Sequence, residues 1–139
     1  MSSQQDIFHE LSYYTVAHPS PTFIHQHVVD AFAAQTADKD TKPIKITFAL
    51  LGLYLFLEKD FTGRQVQLAH MKIATIKNRV EWPKIIYPEG RGSTTVSNVL
   101  QSPPGKERDL MIKKWCQSVW EAYSDSQIQV VDFLNKYFL

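Results

Sequence analysis

Cysteine is nearly missing from this chain. Cys116 is the only one in 139 residues, so no internal disulfide can close and no cysteine-rich zinc cluster can form. An excess of one charge is missing too: 15 Lys and Arg against 14 Asp and Glu leave a net charge of +1. A chain without a basic surplus is not expected to bind nucleic acid or an anionic membrane surface. Long apolar runs are also scarce. The longest, Ile46–Leu57, falls short of the roughly 20 residues that a membrane-spanning helix needs, and suits a helix buried in a protein core. The opening MSSQQDIFHE has neither the basic start nor the apolar run of an export signal, and with the lone cysteine it points to the cytoplasm. With 44% hydrophobic and 21% charged residues, what is there is an ordinary globular composition, sized for one domain over residues 1–139.

Five Gly and seven Pro punctuate the chain sparingly. Ser20-Pro21 reads as a helix start, with Ser accepting from free amides and Pro at the first helical position. Thr41-Lys42-Pro43 repeats that grammar, and Thr62-Gly63-Arg64-Gln65 is a capping box. These starts predict helices near residues 5–17, 20–37, 43–59 and 62–79. Further helices are predicted over Thr95–Leu100, Gly105–Tyr123 and Ser126–Leu139. Only Lys84–Tyr87 could pair as a strand, and prolines bracket it. The reading is an all-α bundle of six or seven helices around the apolar third one. Residues 82–104, rich in Pro and Gly, form one long ordered loop anchored on the bundle by Trp82.

Polar residues in apolar settings carry what functional signal there is. On the second helix, at about 100° per residue, Ile24, Val28, Ala31 and Phe32 form the apolar stripe; Gln35 lies in it, His25 borders it, and His27 with Asp30 share the opposite face. On the fourth helix His70 borders the stripe of Val66, Ala69, Ile73 and Ile76, with Gln67 further round. His25, Asp30 and His70 converging inside the bundle, with His18 or Glu58, would suit a divalent metal. The plainer reading gives each bordering imidazole a neighbouring carbonyl. No HExxH, Glu-x-x-His, GxGxxG or GxxxxGK[ST] raises the odds of a metal or a nucleotide. Arg91, between Gly90 and Gly92 and ahead of Ser93-Thr94, could meet an anion. A helix cap beside a surface arginine explains the same letters. Cys116 reads as core. The aromatics of the C-terminal half, Trp82, Trp115, Trp120, Tyr87, Tyr123 and Tyr137, read as core or as an interaction surface.

HPSPTFIHQHVVDAFAAQ (His18–Gln35), TKPI, GLYLFLE, TGRQVQLAHM, WP, RGSTTVSNVL and WCQSVWEAY resemble, in this order, a family of uncharacterised bacterial proteins filed as a domain of unknown function. The resemblance spans roughly residues 9 to 123 and brings no reaction. It implies weight at His18, His25, Asp30, Gln35, Thr41, Lys42, Glu58, Thr62, Gln67, His70, Arg91 and Trp120. Many relatives carry a CxxC pair near the N-terminus and a histidine after the DAxAxQ stretch. Here Cys116 stands alone and Thr36 follows Gln35, which counts against a metal held in that way.

Two functional readings follow. One is a ligand pocket lined by His18, His25, Asp30, Gln35, Glu58, Gln67, His70 and Arg91, taking a small molecule or a divalent metal through His25, Asp30 and His70, with His25 facing His70. The other is a non-enzymatic interaction module or homodimer that uses the aromatic C-terminal half and the apolar end Tyr137-Phe138-Leu139.

Overall fold

A computed structural model describes residues 3–138. It is all-α: seven helices, α1 (Gln4–Ala17), α2 (His25–Thr36), α3 (Pro43–Lys59), α4 (Gly63–Ala74), α5 (Val96–Gln101), α6 (Lys106–Ala122) and α7 (Gln127–Tyr137), with 3-10 turns at Lys77–Arg79 and Ser124–Ser126. No strand occurs among the described residues. Leu139, the expected end of the last helix, lies outside them. No helix is long and apolar enough to cross a membrane among the described residues.

Local chemistry starts most of these helices. Ser3 and Asp6 exchange backbone and side-chain bonds at the head of α1 (3.1 and 3.3 Å). Thr62 and Gln65 do the same for α4 (3.2 and 2.8 Å), as the capping box predicts. Pro43 occupies the first turn of α3.

The start of α2 departs from the sequence reading. The helix begins at His25, not at Ser20-Pro21, and has no side-chain cap. Residues 19–24 instead make a tight turn in which Phe23 adopts a left-handed φ of 53°. A tertiary contact overrides the capping grammar: the Gly63 amide donates to the Thr22 carbonyl (2.6 Å). A Cβ at Gly63 would overlap the Phe23 carbonyl, so only glycine lets the turn dock on α4.

α3 is the axis of the fold. Ile46, Ala49, Leu50, Leu51, Leu53 and Leu55 are all buried along it, and α2, α4, α6 and α7 pack round it. α6 adds Ile112, Trp115, Cys116, Val119 and Trp120 to the same core, so Cys116 is core as the sequence suggests. From Val80 to Thr95 the chain is irregular but attached. Trp82 stacks on Phe133 of α7 (5.4 Å) and meets the edge of Phe48 (6.2 Å). The Ile86 amide donates to Ser126 Oγ (2.8 Å), so Lys84–Tyr87 gains a side-chain partner rather than a strand.

Candidate functional site

α2 carries the polar residues that matter, and it treats them in two ways. At its C-terminal half, Gln35 is saturated. Its amide nitrogen donates to the carbonyls of Thr94 (2.8 Å) and Arg91 (3.2 Å), and its oxygen accepts from the Trp115 indole (2.8 Å). Arg91 returns the clamp by donating to the Ala37 carbonyl (3.0 Å), its guanidinium 5.5 and 5.7 Å from the Tyr87 and Tyr123 ring centres. Gln35 and Arg91 thus tie the irregular segment to the bundle.

The N-terminal half differs. His27 and Asp30 do not share a solvent face as the stripe suggested; they are only 2% and 3% exposed. The reason lies in α3. That helix is apolar almost all round and takes a second face of α2 against it. Gly52 leaves the room: a Cβ there would overlap the Asp30 carboxylate. Asp30 Oδ1 accepts from Gln26 Nε2 one turn earlier (3.1 Å), while Oδ2 is buried without a partner. Burial pushes this carboxyl well above its ordinary range, with Gln26 pulling weakly the other way. His27 stacks on Phe56 at 3.6 Å between ring centres, and its Nδ1 has no partner. Burial pulls its imidazole down to about 4, so it is neutral near pH 7. The ring lines a cavity of about 170 Å³ with Ile24, Phe56, Phe61, Thr62 and Asp60. Behind it, Cys116 Sγ points to the His27 carbonyl (3.7 Å), and burial, helped by Asp30, drives the thiol pKa far up. Such a thiol is no nucleophile.

The remaining candidate residues scatter. His25 Nδ1 lies 2.8 Å from Thr15 Oγ1, which spends its own hydrogen on the Ser12 carbonyl (2.9 Å). Nδ1 therefore carries the proton and the other ring nitrogen the lone pair. Burial lowers the His25 pKa. His70, on α4, donates through Nε2 to the Phe48 carbonyl (2.8 Å) and stacks on that ring (4.7 Å). Its pKa is lowered by burial and partly restored by the Phe48 carbonyl. The two imidazoles thus have separate partners on α1 and α3. His18 is exposed at the end of α1 on the Tyr14 carbonyl (2.9 Å), Glu58 is exposed at the end of α3, and Gln67 accepts from Arg64 (3.1 Å). Among the described residues, no group of three or more His, Cys, Asp and Glu is placed to hold a metal ion, so His25, Asp30 and His70 do not form one.

Residues 4–124 match the profile of a family of unknown function, DUF5946. The chain belongs to that family. No curated protein and no solved structure matches it. The DUF5946 match covers α1 through α6 and every residue named above as a candidate, whereas α7 lies beyond it.

His27 is the residue that the sequence argument passed over. Its signal was indirect. Gly52, among the large apolar residues of α3, marks where Asp30 enters, and His27 lies one turn of α2 before Asp30.

Proposed function

We propose that this DUF5946 member is a small-molecule-binding protein, and that its ligand is an uncharged molecule held in the cavity at the amino end of α2. One observation carries this reading: His27 is buried, neutral and stacked, yet its Nδ1 has no hydrogen-bond partner beside a cavity. Buried polar atoms are paired in the great majority of cases, and leaving one unpaired costs about 1–3 kcal/mol. A ligand hydroxyl or N–H recovers that cost once the imidazole, whose Nδ1 is shut off from solvent, turns toward the cavity it lines. The walls of Ile24, Phe56 and Phe61 favour an apolar body, and Asp60 at the rim disfavours an anion. The volume of about 170 Å³ suits one ring, since an apolar cavity of about 150 Å³ holds benzene. Phenol is the matching probe. Titrated into labelled protein, phenol should shift the His27 ring signals saturably and more tightly than benzene does. His27→Phe should abolish that preference. Equal binding of phenol and benzene, or no saturable shift with either, overturns the reading.

A second reading rests on the groove between the Trp82 segment and α7, about 590 Å³ in volume. Trp82, Phe133 and Tyr137 floor it, Ile86 stands exposed beside it, and its rim pairs Glu81 and Asp132 with Lys84 and Lys136. A rim with both signs is self-complementary under a two-fold axis, which favours a second copy of the chain as occupant. Light scattering should then give a dimer mass that Ile86→Glu returns to a monomer. A monomer at high concentration removes this reading.

A further inference from the structure

A second cleft, different in chemistry from the His27 cavity, shares Ile24 with it and reaches the 19–24 turn. It measures about 250 Å³ and is lined by Thr15, Ser20, His25 and Arg64 on polar walls, with Val16, Pro19, Phe23 and Ile24 on apolar ones. We infer that this cleft binds a small monocarboxylate, its carboxylate on Arg64 and His25 and its short apolar tail against Phe23 and Ile24.

The charge of the lining decides the ligand's sign. Arg64 is the charged residue on these walls, and no acidic residue is among them. The first turn of α2, which His25 opens, also lacks an acid. Arg64 is held in place rather than free to wander: its guanidinium lies 4.1 Å from the Phe23 ring centre, and Gln67 takes one N–H (3.1 Å). A guanidinium has five N–H donors, so donors remain for a carboxylate fork. His25 is poised by Thr15, which fixes the proton on Nδ1. An arriving carboxylate favours a second proton on the ring, reversing the downward pull of burial. The apolar walls decide the rest. An inorganic oxyanion would leave Val16, Pro19 and Ile24 uncovered, and the volume is too small for the 300–1,000 Å³ scale of drug-sized ligands.

This inference does not rest on the His27 reading, and one titration series separates them. Butyrate, butanol and inorganic phosphate are added to the labelled chain while the Arg64 side-chain and His25 ring signals are followed. Butyrate should bind saturably, with phosphate and butanol each at least about tenfold weaker. A charge-assisted hydrogen bond is worth that much. Arg64 is exposed, so Arg64→Gln should fold normally and lose butyrate by about tenfold or more, with Arg64→Lys between. Binding should take up a proton, raise the His25 pKa, and tighten as the pH falls from 7.5 to 6; Arg64 is the charged residue that lines the cleft with His25. His27→Phe should leave butyrate unaffected. Butanol binding as tightly as butyrate, unchanged affinity in Arg64→Gln, a His25 pKa that butyrate does not move, or loss of butyrate in His27→Phe would each overturn the inference.

Discussion

The two halves of α2 turn polar side chains into the bundle a few residues apart and handle them in opposite ways. Gln35 finds three partners and closes every polar group it touches. Asp30 and His27 each keep an atom with no partner in the same bundle. A saturated, half-buried amide is a structural rivet, because its removal strands several groups at once. An unsaturated buried group stabilises nothing by itself, and its persistence in a packed core calls for a use. Residue type therefore does not foretell partner count in this helix.

The largest test of the contrast is Gln35→Ala. It strands the Trp115 indole N–H and two carbonyls, and the segment around Arg91 loses its main tie. A loss of about 3 kcal/mol by denaturant unfolding is expected, with proteolytic cutting appearing near residues 88–95. At the other half the matching polar change should cost little. Asp30→Asn keeps an oxygen for Gln26 and exchanges the cost of ionising a buried carboxyl for that of an unpaired NH2 at the Oδ2 position, so its stability near pH 7 should lie within about 1 kcal/mol of the parent or above it. A loss as large as that of Gln35→Ala would erase the distinction.

Next comes Gly52→Ala. Its Cβ would meet the Asp30 carboxylate and come within 3.2 Å of Val66 Cγ1, in a core with nowhere to yield. Overpacking of this kind costs about 1–3 kcal/mol. Asp30→Ala in the same chain should return part of the loss, a coupling that calorimetry of the four variants would measure.

The pH dependence sharpens the contrast further. Folded His27 stays neutral down to about pH 4, while the unfolded chain takes up its proton near 6.5. Stability from this group is fully present above about pH 6.5 and is lost as the pH falls toward 4. Asp30 runs the other way. The unfolded carboxyl ionises near 3.8 and the folded one well above it, so its contribution is present below 3.8 and is lost as the pH rises through the folded value. His27→Phe, which keeps the stack on Phe56, should remove an acid-side loss on the order of 2 kcal/mol from thermal melts between pH 6.5 and 4. Asp30→Asn should instead gain on its parent as the pH rises.

Much of the fold was legible because it depends on local chemistry. The Thr62–Gln65 box, Pro43 at the start of α3 and the apolar run from Ile46 to Leu57 each act within a turn or two of themselves. The start of α2 was not, because the Gly63–Thr22 bond that moves it from Ser20 to His25 joins residues 41 apart, one on each of two elements. The site suffered from the same limit. Periodicity places His25 and His70 at the borders of apolar stripes and Gln35 within one, yet it says nothing about which carbonyl or hydroxyl waits across the interface. The stripe puts Asp30 and His27 on the face away from the core, while the pocket reading draws Asp30 inward; one apolar stripe per helix cannot decide between them. α2 packs against α3, α4 and α6 besides α1, so it has more than one inward face.

The smallest expected effect belongs to Glu58, which its position at the end of the central helix made a pocket candidate. Its side chain is exposed, and the α3 terminus beyond it is set by backbone: Asp60 takes a left-handed φ of 55°, and the Phe61 amide closes on the Leu55 carbonyl (3.0 Å). A carboxylate near the C-terminal end of a helix also faces the negative end of the helix dipole, an unfavourable placement worth a few tenths of a kcal/mol. Glu58→Ala should therefore change stability by less than about 0.5 kcal/mol, with the sign toward stabilisation. The comparison with Asp30 is what makes this null result informative. Both are carboxylates on helices that pack together, but only Asp30 lies under Gly52 with an oxygen unpaired. If Glu58→Ala weakened phenol or butyrate binding as much as His27→Phe or Arg64→Gln does, exposure and partner count would have failed to separate site from scaffold.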